Sequence, residues 1–472
     1  MGRFVCGVSR NIVNCFRSAL DCTRKMKHMA NDTNLGSSYN GYYRSSPKLE
    51  NIELTHVGPG TACGEYLRRF WQPVCLSEQL HDLPLGLRIL GEDLVVFRDL
   101  SGDIGLLHRH CSHRRASLEY GVISEHGIRC CYHGWLYDVD GTILETPGEP
   151  AESAIRKKLC HGAYPVIEYK GLVFAYMGPL STKPDFPIYD SMEMPENEMV
   201  PYAIDMPCNW LQVNENPMDP YHAVYLHSRA TGVQFKQSWN AEGIVEWHWM
   251  PNRVGIFLTD TRRWQEFIWV RTAELFPPNF AQPSDFNQDA SHETFFARAC
   301  ASKWIVPVDN TNCKLIAWRH FNDMIGSKPD YSKIGINKVD FMGQTGEGRS
   351  FEEQQREPGD YEAQVGQGSI TIHDEEQLGK TDTGVARLRG LLRRHIRMLA
   401  QGDVPPRPDL NTEGRIPTYT GDFVVKVLSV VGQEELQQRD FGRKLARILV
   451  DTLSLGFNDR QAEVKRRLLT PD

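Results

Sequence analysis

The sequence predicts an α+β chain: a small all-β domain over residues 51–180, then a larger domain over 181–472 that combines an antiparallel sheet with helices. Three observations carry this. Short apolar segments alternate with turn signals between about residues 60 and 180, as in an all-β unit. Residues 179–195 then hold four prolines and several acids, the composition of a domain boundary. Beyond them, strand-length segments accompany two long amphipathic helical patterns. At 472 residues the chain is long enough for two or three cores. It is 40% hydrophobic and 24% charged, ordinary for a globular protein. A net charge of −7 offers no basic excess for nucleic acid, and no apolar run reaches the length of a membrane span.

Residues 1–28 stand apart. Arg3, Arg10, Arg17, Arg24, Lys25 and Lys27 face one acid, Asp21, and Phe4, Val8, Ile12, Phe16 and Leu20 recur as one apolar helical stripe. Such a start fits an organelle transit peptide, or a disordered tail before a later start at Met26 or Met29. Nothing else in the chain indicates an organelle, so a cytoplasmic protein is expected. Cys6 stands where a myristoylation signal needs Ser or Thr. Residues 31–48 read as linker, so 1–50 is taken as an extension.

Gly64–Trp71 reads as a short helix, and Leu87–Arg98 as two strands around a Gly-Glu-Asp turn. Asp140-Gly141, between Leu136–Val139 and Thr142–Leu144, is a hairpin signal. In the larger domain Ile244–Trp249, Gly255–Thr259, Phe267–Phe276, Thr294–Pro307 and Cys313–Phe321 read as strands of one sheet, and 322–358 as a long loop. Thr383–Leu399 is an amphipathic helix. Leu388, Leu391, Leu392, Ile396 and Leu399 form its stripe, Thr381 or Asp382 its cap, and Arg387, Arg389, Arg393, Arg394 and Arg397 a solvated face. Glu434–Leu453 is a last helix. Three of the twelve cysteines cluster and the others scatter, which is no disulfide framework and fits a reducing compartment.

The stretch Cys111-Ser-His113, sixteen residues, Cys130-Cys-Tyr-His133 carries the first chemistry. Two thiolates and two imidazoles in this spacing suit a Rieske-type [2Fe–2S] cluster, in which His₂ replaces Cys₂ on one iron and raises its potential. Tetrahedral Zn²⁺ is the alternative. The second constellation is Asn216-Pro-Met-Asp219-Pro-Tyr-His222-Ala-Val-Tyr-Leu-His227. Asp219 and His222 share a helix face, but His222 and His227, five apart, splay on a regular helix. A π-bulge or a kink brings them together. Two His and a distant carboxylate make the facial triad of a non-haem Fe(II) oxygenase.

The pattern C-x-H-x₁₆-C-x₂-H followed by D-x₂-H-x₄-H resembles the α (oxygenase) subunit of Rieske non-haem iron aromatic ring-hydroxylating oxygenases. From Glu53 to about Leu399 the chain resembles the phthalate dioxygenase-like branch, including LTHVGPGT, CCYHGW, ETPGEP and PGDYEAQVGQG. The resemblance implies a Rieske domain followed by a helix-grip-like catalytic domain. It implies that Cys111, His113, Cys130 and His133 hold the cluster and that His222 and His227 hold the mononuclear iron. Its D-x₆-Q/E pattern points to Asp360 as third ligand, with Asp374 the runner-up and Asp382 better explained as a cap. Asp219 is implied as the bridge between a cluster histidine of one subunit and an iron histidine of its neighbour, which requires a homotrimer or homohexamer. The chain departs from the family at Arg115, where Gly is common, and at Cys131, where Pro is common and a packed thiol is expected.

The activity implied is hydroxylation of an aromatic substrate with O₂, as cis-dihydroxylation or monooxygenation; oxidative demethylation is the alternative. An aromatic carboxylate is expected by analogy, with Arg229, Arg253, Arg262 and Arg263 as candidate clamps, each more simply a surface residue. Phe257, Trp264, Phe276 and Phe280 are candidate pocket aromatics. No G-x-G-x-x-G opens a helix, so NAD(P)H and flavin are expected on a separate reductase, with or without a ferredoxin. The rival is a pure electron carrier. Length argues against a Rieske ferredoxin, and the lack of an extra Cys pair and of a membrane anchor argues against a respiratory Rieske subunit.

Overall fold

The computed structural model describes residues 38–41, 48–150, 152–230, 235–323, 328–338 and 348–470. The basic stretch 1–28, most of the 31–48 linker and much of the 322–358 loop lie outside them. The chain forms two compact units: residues 1–50 with 372–376, and residues 51–371 with 377–472. In the first, the Leu49 N–H donates to Asp374 Oδ2 (3.1 Å) and Lys48 lies 3.9 Å from Glu375.

Three small antiparallel sheets come first. One joins Trp71–Leu76, Leu172–Tyr176 and Val166–Tyr169; the next runs Leu85–Ile89, Glu92–Arg98, Ile104–His108, Ala163–Tyr164; the third runs Val122–Ile123, Ile128–Arg129, Leu136–Tyr137, Ile143–Glu145. Val95, Phe97, Leu107, Leu118, Ile128, Tyr137 and Ile143 bury a core against Cys111 and Cys130. The turn placed at Gly-Glu-Asp falls one residue earlier. Ile89 pairs with Glu92, and Leu90 and Gly91 both have positive φ (51° and 76°), the geometry of a type I′ hairpin. Their N–H groups donate to the Pro307 and Val308 carbonyls (2.9 and 2.8 Å), pinning this hairpin to the larger sheet. The Asp140-Gly141 turn is present, with the Gly141 N–H donating to the Asp138 carbonyl (3.0 Å).

The larger sheet has nine strands among the described residues, all antiparallel. Its order is Glu198–Met206, Cys313–Phe321, Ala301–Pro307, Phe280–Gln282, Phe267–Phe276, Ile256–Trp264, Ile244–Trp249; Gly421–Lys426 pairs with both Phe267–Phe276 and Thr294–Arg298. The expected single strand Thr294–Pro307 is two. A bulge at Phe296 (φ 58°) and a break at Ala299-Cys300 send its halves to different partners. Strands Glu198–Met206 and Gly421–Lys426 and helix Phe457–Leu469 were not expected.

Helix Ala62–Leu67 starts at Thr61, whose hydroxyl caps Gly64 N (3.2 Å). Helix Thr383–Ala400 buries Leu388, Leu391, Leu392 and Ile396 in the main core. Asp382 holds the cap position, yet its carboxylate accepts from the Gly379 N–H (2.6 Å) and makes no bond to the helix. Arg389, expected in solvent, is buried in a two-point pair with Glu215 (2.6 and 2.8 Å). Gly384 is required by close approach: a Cβ there would strike the Trp247 indole and the Met218 carbonyl. No described helix is long and apolar enough to cross a membrane.

Candidate metal centres

Cys111 and Cys130 open two loops of one design. In each, the Cys N–H donates five residues ahead (to Ala116 O, 2.9 Å; to Trp135 O, 2.8 Å) and the Cys carbonyl accepts from four residues ahead (Arg115 N, 2.9 Å; Gly134 N, 3.0 Å). The fourth residue is left-handed in both, Arg115 at φ 61° and Gly134 at φ 73°. Gly adopts that conformation freely and Arg at a cost of roughly 1–2 kcal/mol, so the Gly that the resemblance leads one to expect at position 115 has a backbone reason.

Both thiols are buried, His113 is exposed and His133 half-buried, with ring centroids 4.6 Å apart. Burial and the neighbouring Cys111 push the Cys130 thiol up, against N–H groups of Tyr132 and His133 that point at its sulfur. Tyr137 Oη lies 2.9 Å from Cys111 Sγ, and Trp135 stacks on His113 (4.7 Å). His161 Nε2–H donates to the His108 carbonyl (2.8 Å), so its Nδ1 accepts from Ser112 (2.7 Å) and braces the first loop. Paired thiols inside and paired imidazoles outside fit a cluster whose two irons take different ligands. Cys131 is exposed at the loop tip, not packed as expected.

The second centre forms on an irregular helix. A 3₁₀ turn, Asn216–Met218, leads into one α turn, Tyr221–Val224, and then into a π-helix, Tyr225–Ala230. The wide turn undoes the splay of a five-residue spacing: the His222 and His227 rings are 5.4 Å apart. Asp360, first residue of helix Asp360–Val365, brings Oδ1 to 3.5 Å from His222 Nε2 and 3.3 Å from His227 Nε2. One ligand atom from each lies within 4.8 Å of the others, the arrangement of a two-His, one-carboxylate metal site. Asn216 Nδ2 lies 3.1 Å from both His222 Nε2 and Asp360 Oδ1. Burial opposes ionisation of Asp360, but His227, His222 and Lys303 outweigh it and hold its carboxyl well below the usual range. Burial raises Asp219, partly offset by His222; its carboxylate lies 3.7 Å from His222 Nδ1, and its carbonyl bonds the same nitrogen. Asp374 sits in the other unit, bonded to Leu49.

These side chains border a cavity of about 130 Å³, lined also by Phe235, Trp239, Phe286, Tyr202, Arg262, Arg271 and Lys303. None of the four aromatics expected there lines it; Phe257, for example, is core, stacked on Tyr419 (4.5 Å). The expected clamps are occupied elsewhere. Arg229 pairs with Glu242 (2.7 Å), Arg253 lies over Trp249, and Arg263 donates to the Val427 carbonyl (2.9 Å). Arg262 lines the cavity, buried and locked on Asp260 (2.5 Å). Lys303 was missed, although a lone Lys within the apolar run Ala301–Pro307 was its signal.

Residues 70–165 match the family model described as Rieske [2Fe-2S] domain, and residues 206–398 match Vanillate O-demethylase oxygenase C-terminal domain. The chain is 40% identical over 462 residues to the tert-butanol monooxygenase / tert-amyl alcohol desaturase oxygenase subunit of Aquincola tertiaricarbonis, covering 92% of this chain and 96% of that protein. The chain belongs to the Rieske oxygenase α subunits. Among Rieske oxygenases it lies close to the phthalate and phenoxybenzoate dioxygenase branch. It is 39% identical over 402 residues to phenoxybenzoate dioxygenase subunit alpha of Ectopseudomonas oleovorans, covering 81% of this chain and 93% of that one. Its fold is that of dicamba monooxygenase bound to dicamba, with a TM-score of 0.53 and 17% identity over 71% of this chain and 99% of that chain.

Proposed function

We propose that this Rieske oxygenase hydroxylates a compact aromatic substrate by cis-dihydroxylation or monooxygenation, with electrons from a separate NAD(P)H reductase, directly or through a ferredoxin. The observation that carries this is the convergence of His222, His227 and Asp360 on the wall of an aromatic-lined cavity. Cys111 and Cys130 would hold one iron of the [2Fe–2S] cluster and His113 and His133 the other; His222, His227 and Asp360 would hold the mononuclear iron. When bound, these groups supply one-electron transfer and O₂ activation. The chain's own part is placement. Asn216 donates to Asp360 Oδ1 and would orient that carboxylate, while Phe235, Trp239 and Phe286 give the substrate apolar walls.

Asp219 orients His222 through Nδ1 and keeps a partly exposed carboxylate, which we assign to a cluster histidine of a neighbouring subunit in a homotrimer or homohexamer. We place electron entry in residues 51–180, catalysis in 181–472, an extension in 1–50, and the protein in the cytoplasm. A second reading, monooxygenation of a compact branched alcohol, draws support from the small cavity and from the identity to the tert-butanol monooxygenase subunit. Turnover with a surrogate reductase under ¹⁸O₂, with products identified by mass, tests both. Two labelled atoms on a ring product mean dioxygenation, one means monooxygenation, and no labelled product from aromatics or tertiary alcohols overturns the proposal.

A further inference from the structure

The nine-stranded sheet carries a second cavity on the face turned away from His222 and His227. Lys303 borders the cavity beside those histidines, and Trp304, next along the strand, borders the second one. Successive side chains of a strand point to opposite faces. Register builds the floor: Phe276 pairs with Phe280 and Phe280 with Trp304, a cross-strand row of three rings. Tyr189 stacks on Phe280 (4.0 Å), and Trp71 meets Phe186 edge-on, with centroids 5.9 Å apart. All six rings line a cavity of about 470 Å³.

Residues 404–410, Val-Pro-Pro-Arg-Pro-Asp-Leu, form a strap along this cavity, which Pro406, Arg407, Pro408 and Leu410 line. Pro408 and Leu410 also line a neighbouring cavity of about 260 Å³, so the strap is the wall between the two. Among the described residues, 404–410 makes no hydrogen bond or ion pair. Its flanks are tied: the Asp403 N–H donates to the Met398 carbonyl (3.0 Å) and the Asn411 N–H to the Arg415 carbonyl (2.8 Å). A segment held by apolar contact alone between two fixed ends opens at low cost.

The polar groups of the floor are spent. The Trp71 indole N–H donates to the Pro184 carbonyl (3.0 Å), and the Asn279 amide donates to Gln72 and to the Ile305 carbonyl (2.7 and 2.8 Å). At the rim Arg415 is paired with Glu193, while Lys183 and Arg407 are matched in number by Asp185 and Asp409. Such a site gives an ion nothing in exchange for its hydration. It gives a flat ring both stacked and edge-on partners.

We propose that this cleft is a second ligand site, separate from the metal centres, which takes an uncharged planar molecule of two or three rings and admits it when the strap lifts. A cavity of about 150 Å³ holds one benzene, and this one is about 470 Å³, which sets the number of rings. Ile188 and Leu410 line the cleft and belong to neither metal centre, so they serve to block it.

Equilibrium dialysis of the full-length, iron-loaded protein with 2-naphthol, against 2-naphthalenesulfonate as the charged analogue, tests the site without any turnover. One 2-naphthol per chain is expected, with the sulfonate about tenfold weaker. Ile188→Trp and, on the exposed strap, Leu410→Trp fill the cleft and are each expected to weaken 2-naphthol by about tenfold, with cluster absorption and iron content unchanged. In crystals soaked with 6-bromo-2-naphthol, anomalous scattering should place bromine among Trp71, Tyr189 and Phe280. Changing Pro405, Pro406 and Pro408 together to Ala loosens the strap and should speed association about threefold, followed by the fluorescence of 2-naphthol. Absence of binding, as when a second copy of the chain covers the cleft, overturns the proposal. So does equal binding of the sulfonate, binding that both Trp variants leave intact, or bromine found only beside His222 and His227. An unchanged association rate in the Ala variant overturns the entry route.

Discussion

Cys111, His113, Cys130 and His133 stand on two neighbouring loops that repeat one backbone pattern, whereas His222, His227 and Asp360 come from an irregular helix and a short helix far downstream. Each loop of the first centre closes on itself through two backbone bonds and needs little from the rest of the fold. The second centre exists only when a π turn, the Asn216 amide and a distant helix N-terminus agree. A locally closed site shows itself in spacing, while a tertiary site shows only its sequential half.

The largest expected contrast comes from removing the distant carboxylate proposed as the third ligand. Asp360→Ala is expected to lose the mononuclear iron and all measurable turnover while the visible spectrum of the cluster is kept; iron analysis of the purified variant checks this. Full iron content would move the third ligand elsewhere. Asp219→Asn, close in shape but uncharged, is expected to lower turnover by about 100-fold with both metals retained. Rapid-mixing reduction of the cluster should then proceed as in the parent, and a parental turnover rate would remove Asp219 from the path between subunits.

Stability changes sharpen the comparison at smaller scale. Burial opposes the charge on Glu92, but His108, Tyr164 and Arg68 outweigh it and push its carboxyl down to about 2. Its folded value lies below its unfolded one, so its contribution is full above about pH 4.5 and is lost as pH falls from there toward 2, up to about 3 kcal/mol. Because Glu92 and His108 lie on strands of the small sheets, Glu92→Gln should flatten the acid limb of thermal melts followed by cluster absorption. Gly384→Ala, which forces the long helix off Trp247 and Met218, is expected to cost about 1–3 kcal/mol. It should disturb iron retention before cluster absorption, as differential scanning and metal analysis would show. Smallest is Arg115→Gly, which relieves a left-handed side chain and should stabilise by about 0.5–1 kcal/mol, seen as a modest rise in melting temperature.

The paired motifs made the fold class and the cluster loops legible, because hairpin turns and ligand spacing are both short-range. Even the need for a π-bulge or a kink followed from the five-residue gap between His222 and His227, and the structure has the π turn. The rest depended on pairing. Phe296 breaks what reads as a single strand, and only its left-handed backbone shows why. Arg389 sits in an Arg-rich run that reads as solvated, yet its partner Glu215 arrives from a remote helix. Phe257 and Lys303 both lie on apolar strands; which of them meets the core and which the cavity is set by neighbours that no local pattern names.

The π turn at Tyr225–Ala230 carries one residue more than an α turn. Deleting a single residue there would restore ordinary winding and swing everything beyond it by about 100°, carrying His227 off target. The second centre is thus written in chain length as much as in residue type: His227 reaches its place only with the extra residue of the turn.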